Sequence, residues 1–182
     1  LLPALKVAKE RAKQTSCINR LKQIGIAFWM YSQDYNDYAV PYRYGYPAIT
    51  ASWWDYPGYF RGQYLGRVSV CCTSRYNGWP HYGYHLYGYN LRVGGWVGNP
   101  GWITRRIIRY KNVHKILIFG DSTRNSAGLH YFDYADGEII FNGGGFGFRQ
   151  MEAMNCLFAD GHTKAYPGPD KLIVDGVMVR YW

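Results

Sequence analysis

Cys17-Ile-Asn-Arg-Leu21-Lys-Gln-Ile24-Gly-Ile-Ala-Phe28-Trp-Met-Tyr31-Ser-Gln-Asp-Tyr35 carries large apolar residues at intervals of four and three. That spacing lines one face of an α-helix. Lys13, Arg20, Lys22 and Gln23 fall off the stripe. Upstream of Cys17 the stripe thins to Leu1, Leu5, Ala8 and Ala12, a narrow edge of mostly small residues. One long helix is therefore expected from Leu1 to about Tyr35, ended by the segment from Asp34 to Pro41. Its two halves differ: 1–16 reads as a protruding stub, whereas Cys17–Tyr35 belongs to a single globular head, 17–182. Pro3 would kink the helix if more of it preceded.

Outward from this helix the chain changes character. Residues 41–102 are dense in Gly, Tyr, Trp and Pro, with Tyr-Gly-Tyr at 44–46, 82–84 and 87–89. The irregular spacing of that triplet makes it composition rather than a repeat. Short strands are expected near Val68–Cys72 and Tyr82–Asn90. Lys115-Ile-Leu-Ile-Phe-Gly120 is a short apolar run of the buried-strand type. Three Asp-Gly pairs follow, at 136–137, 160–161 and 175–176, each between strand-like runs. Asp-Gly tolerates the positive φ of a tight hairpin, so hairpins are expected at 129–141, 155–166 and 171–181. A long helix followed by antiparallel hairpins predicts an α+β fold, the helix laid across the sheet.

Composition narrows the function classes. A chain of 182 residues with 48% hydrophobic residues can bury a core. Its 19 Tyr, 7 Trp and 8 Phe beside 22 Gly suit both a ring-filled core and an interface. The formal charge is +9, and Lys6, Lys9, Arg11, Lys13, Arg20 and Lys22 against Glu10 place +5 of it on residues 1–22. Such a segment fits an anionic partner or a solvated face beside an apolar stretch, and the second reading is favoured. Leu1, Leu2, Ala4 and Leu5 read as the end of an apolar run that turns basic, as at the exit from a bilayer or a filament core. The chain as given holds no run of 18 apolar residues and no complete secretion signal. Opening on Leu1, it reads as a processed or truncated product.

No metal-ligand spacing stands out: Cys17, Cys71, Cys72 and Cys156 form no C-x-x-C, and the five His are scattered. No metal and no cofactor is expected. A structural calcium ion on Asp121, Asp133, Asp136, Asp160 and Asp170 is the weaker option. In an oxidising compartment, Cys17 could bridge the Cys71/Cys72 pair, with Cys72 preferred. Cys156 alternates with core positions and reads as a buried small hydrophobe.

The order of several blocks resembles the type IV pilin-like proteins, in particular the prepilin-type group with an H-X9-DG signature. The blocks are Leu1-Leu-Pro-Ala-Leu5 before a basic helix, Cys17 through Ala27, Val70-Cys-Cys72, Tyr87-Gly-Tyr-Asn90, Ile116 through Ser122, and Asn155-Cys-Leu-Phe-Ala-Asp160-Gly-His162. One departure is plain: Gln150 stands where the signature has His, nine residues ahead of Asp160-Gly161. Gln cannot act as an acid or base near neutral pH, which agrees with a turn rather than a catalytic role for Asp160-Gly161.

The resemblance implies a non-enzymatic subunit of an extracellular filament or secretion pseudopilus. It implies export through the inner membrane as a prepilin-type precursor, with a membrane-spanning segment ahead of Leu1 and an assembly machinery as partner. Polymerisation would run through Leu1, Leu2, Pro3, Ala4, Leu5 and Ala8, with Trp53, Trp54 and Tyr56 as aromatic contacts between copies. Two rivals carry less weight. Gly120-Asp-Ser122 is superficially similar to a hydrolase block, but the expected late Asp-x-x-His is missing. Trp53, Trp54, Trp79, Trp96 and Trp102 with the basic charge would also suit a module that binds DNA or polysaccharide.

Overall fold

The computed structural model describes residues 2–44, 51–52, 60–65, 87–97, 106–107, 111–121, 131–132 and 153–168. Helix α1 runs Leu2–Asp34. The strands are β1 (Arg43–Tyr44), β2 (Ala51–Ser52), β3 (Tyr87–Asn90), β4 (Trp96–Val97), β5 (Leu117–Asp121), β6 (Tyr131–Phe132), β7 (Met154–Phe158) and β8 (Thr163–Tyr166). A π-helical turn at Arg61–Leu65 and a helical turn, α2, at Leu91–Gly94 complete the described elements used below.

Five strands form the main sheet in the order β6-β3-β5-β7-β8. β3, β5, β7 and β8 pair antiparallel with one another, as expected, with Gly88 opposite Gly120, Gly120 opposite Cys156 and Cys156 opposite Lys164. The edge strand β6 pairs with β3 in parallel, which no hairpin can produce. Of the three expected hairpins, the one at Asp160-Gly161 joins β7 to β8. Those at 129–141 and 171–181, and the strand at Val68–Cys72, lie wholly or mainly outside the described residues. The register shifts between Leu117 and Phe119, where β5 bulges against β7. The apolar run expected from Lys115 enters the strand only at Leu117, because Val113–Lys115 forms a 3-10 turn. A smaller sheet has the order β2-β1-β4.

The stripe of α1 is spent on this sheet. Cys17, Leu21, Ile24, Phe28 and Tyr31 are all buried. Tyr35 is the exception at 39% exposed, although its ring still stacks on Tyr31 at 4.3 Å. The rings of Phe28, Tyr89 and Phe119 form the centre. Phe28 meets both others edge-on at 6.2 and 6.0 Å, and Tyr89 stacks on Phe119 at 4.6 Å. Pairs of this kind add about 0.5–1.5 kcal/mol each beyond the area they bury. The hydroxyls do not go to waste in the core. Tyr87 donates to the Cys17 carbonyl at 3.0 Å and Tyr89 to the Val40 carbonyl. The buried Asn90 amide donates to the Leu117 carbonyl at 2.7 Å, tying β3 to β5 from the side.

The end of α1 is built by a left-handed residue. Asn36 has φ 53°, and the Asp37 amide reaches back to the Ser32 carbonyl at 2.7 Å. This is the six-to-one bond of a Schellman cap. Glycine adopts that conformation without a Cβ penalty, so Asn36→Gly should raise stability by up to about 1 kcal/mol and Asn36→Ala should lower it by about 1 kcal/mol. Thermal melts of the two variants check the opposite signs.

Candidate functional site

Burial along α1 begins at Cys17. Residues 3–9 are exposed, and none of residues 3–16 is buried. Pro3, Ala4, Leu5 and Ala8 therefore present their side chains to solvent, with Leu5 68% exposed. Leu2 opens the helix, and Leu1 lies outside the described residues. Lys6, Lys9, Arg11 and Lys22 are exposed, whereas Lys13 pairs with Glu10 at 2.6 Å. A half-buried pair three residues apart on a helix surface contributes a few tenths of a kcal/mol, about 0.2–0.5.

The helix face turned from the sheet carries a second apolar edge. Leu5, Ala8 and Ala12, expected to continue the Cys17 stripe, lie instead on the opposite side of α1, spaced three and four apart, and two heptads beyond Ala12 that side presents Ile26 and Met30. Ile26 is 62% and Met30 51% exposed. The sequence pattern held the signal for both, since neither falls on the Cys17–Tyr31 stripe.

The signature turn is occupied by local bonding. Gly161 takes φ 88°, and the His162 amide donates to the Asp160 carboxylate at 3.1 Å. The His162 Nδ1 lies 2.5 Å from the same oxygen, and its ring stacks on Phe158 at 4.3 Å. Asp160 thus closes an Asx-type turn, the reading its Asp-Gly pair suggested. His162 completes it, a role not foreseen from the sequence. Gln150, the third signature residue, lies outside the described residues.

The polar groups under the helix serve the sheet. Asp121, at the end of β5, is fully buried; one of its oxygens accepts both the backbone and the side-chain amide of Asn155, at 2.9 and 2.8 Å. Burial pushes the Cys156 thiol well above its ordinary pKa, with the Asp121 charge adding to the rise and Lys164 opposing it. A thiol so held is not a ready nucleophile. The Cys17 side chain is buried too, but Cys72, its expected bridge partner, lies outside the described residues, as do Trp53, Trp54, Tyr56, Ser122, Asp133, Asp136 and Asp170. Among the described residues no three His, Cys, Asp or Glu side chains converge as metal ligands. No described helix is long and apolar enough to cross a membrane.

At the far end of α1, the Tyr64 hydroxyl donates to Asp34 at 2.7 Å. Chiefly through that bond the phenol is pushed up to about 12 from 10.0. The neutral phenol is the form the fold favours. The contribution of this contact is therefore complete below pH 10 and lost as pH rises through about 12. Ultraviolet titration should show a late-ionising tyrosine that moves to lower pH in Asp34→Asn and is missing in Tyr64→Phe.

Comparison with known proteins gives limited company. No curated protein matches this chain, and no solved structure does. Residues 6–64, which include most of α1 and its cap, match the model of a family described as a protein of unknown function (DUF1559).

Proposed function

We propose that this protein is a structural subunit of a pilin-like extracellular filament or secretion pseudopilus, with no catalytic activity and no cofactor. The observation that carries the reading is the double-faced α1. One stripe is consumed by the subunit's own sheet, while Leu5, Ala8, Ile26 and Met30 on the other side stay exposed. A helix with a second bare apolar edge gains by packing against a copy of itself, as small and apolar residues allow helices to approach closely. The family match over residues 6–64 is compatible with this role.

In this reading the chain belongs to the prepilin-type H-X9-DG group, with Gln150 replacing the signature His, and Asp160-Gly161 is a structural turn. It is exported through the inner membrane as a prepilin-type precursor and meets a pilus or secretion assembly machinery. Leu1, Leu2, Pro3, Ala4, Leu5 and Ala8 make the helix contacts, and Trp53, Trp54 and Tyr56 add contacts between heads. Binding of DNA or polysaccharide by the tryptophan-rich loops is the alternative function.

Electron microscopy of the full-length gene product, assembled in its own cells, tests the reading. Uniform helical filaments are expected, and Ile26→Glu with Met30→Glu should abolish them while leaving the melting of the head unchanged. A full-length product that stays a monodisperse monomer under native conditions would sink it.

A further inference from the structure

Near neutral pH a tyrosine loses an electron readily only when its phenolic proton leaves with it, so the group that takes the proton decides which ring reacts. The Tyr64 hydroxyl donates to the Asp34 carboxylate at 2.7 Å. A carboxylate takes up a proton far more readily than a peptide carbonyl does. The Tyr87 and Tyr89 hydroxyls donate to carbonyls, and both rings are buried from any diffusing oxidant. Tyr38 is 41% exposed, but the Arg106 guanidinium lies over its ring at 5.2 Å, and that charge opposes the loss of an electron. Tyr64 is half-buried, its ring held edge-on to Tyr31 at 5.6 Å and beside Phe60 at 6.1 Å. Both neighbours are buried, whereas Asp34 is exposed, so a proton delivered to it can pass on to water. The same bond keeps the phenol neutral to high pH, so the group that meets an oxidant is a hydrogen-bonded phenol, not a phenolate.

We propose that Tyr64 is a site of oxidative phenol coupling, with Asp34 as its proton acceptor. An external one-electron oxidant, hydrogen peroxide acting through a haem peroxidase, takes one electron from the ring. The phenolic proton moves to the Asp34 carboxylate, which leaves a neutral tyrosyl radical, and Asp34 then releases the proton to water. Coupling with a second phenoxyl radical forms a carbon–carbon bond between ring positions next to the oxygens. The two displaced ring hydrogens return to those oxygens. Two phenols and one hydrogen peroxide thus give one biphenol and two waters. The second phenol is another copy of this chain or a free phenolic molecule, and the chemistry at Tyr64 is the same for both. The site does not depend on filament formation. Tyr64 lies on the π-helical turn that packs against α1, outside both sheets, so the new bond leaves the strands undisturbed.

The test treats the purified 182-residue chain with a haem peroxidase and limiting hydrogen peroxide, alone and with excess N-acetyltyrosinamide. Dityrosine fluorescence measures the product, and peptide mass mapping locates it. A covalent dimer joined at Tyr64 is expected from the chain alone, and a monomer carrying the adduct at Tyr64 when the small phenol is present. The dimer by itself assigns the second phenol to another copy, and the adduct by itself assigns it to a free phenolic. Asp34→Asn keeps a polar partner but no base, and should lose most of the product at Tyr64. Asp34→Glu restores a carboxylate, and coupling there should persist. Tyr38→Phe should leave the Tyr64 product unchanged. Melting curves matching the parent show that the variants are folded. Product at other tyrosines with none at Tyr64 overturns the proposal. So does an undiminished Tyr64 product in Asp34→Asn, or its loss in Asp34→Glu.

Discussion

Phe28→Ala is expected to cost about 3–5 kcal/mol, a large fraction of the stability of a domain this size. Phe28 is fully buried where α1 crosses the sheet, and its ring meets the edges or faces of Trp29, Tyr89 and Phe119 within 6.2 Å. Truncation opens a cavity between rigid rings that are themselves tied down, Tyr89 by its bond to the Val40 carbonyl. Collapse around the gap is therefore limited, which places the loss at the upper part of the range. Ile26→Ala, two residues earlier on the exposed side, should cost no more than about 0.5 kcal/mol. Urea denaturation of both variants measures the contrast. Equal losses would mean that α1 does not dock through the Cys17–Tyr31 stripe.

Gly94→Ala should be destabilising by about 3 kcal/mol, the strong end of overpacking. A Cβ at residue 94 would lie 2.7 Å from the Tyr42 amide nitrogen and 2.8 Å from the Val40 carbonyl oxygen, and would also collide with the Tyr89 ring. Two of these neighbours are backbone, and the Tyr42 amide already donates to the Gly95 carbonyl at 3.0 Å. The segment after α1 cannot step aside without giving up that bond. The change would push Tyr89 against Phe28 and Phe119, so near-ultraviolet circular dichroism should change along with the midpoint. A midpoint unchanged from the parent would show that residues 40–42 do not pack against residue 94.

The α+β class, α1 and the Asp160 hairpin were legible because each is written in short-range pattern. Helical spacing from Cys17 to Tyr31 and the Asp-Gly pair at 160–161 each depend on residues within a few positions of one another. The strand partners were not legible. β3 finds β5 across an interval of about thirty residues, and β6 joins β3 in parallel, choices made by tertiary packing rather than by local pattern. The same holds for Asp34 with Tyr64 and for Asp121 with Asn155, whose members read as ordinary polar residues until the fold brings them together. Gly94 sits in a glycine-rich stretch, and nothing in the neighbouring sequence marks it as a glycine that a loop backbone touches. The bare edge of Ile26 and Met30 was readable in principle: two large apolar residues off the buried stripe of a helix are themselves a pattern.

The order of the main sheet also sets a sequence of events in time. Only β7 and β8 are joined by a tight turn; β5 must find β7 after the chain has looped through more than thirty residues, and β3 must then find β5. A two-strand ribbon can close in microseconds, whereas long-range closures of this kind slow folding toward milliseconds or longer. During that wait β7 has its Cys156, Leu157 and Phe158 backbone unpaired on the side that β5 will fill. A nascent chain is thus open to pairing with another chain's β5 in place of its own. The central strand of the finished sheet is the point at which two unfinished molecules can exchange parts, and dilution during refolding should suppress such swapped dimers.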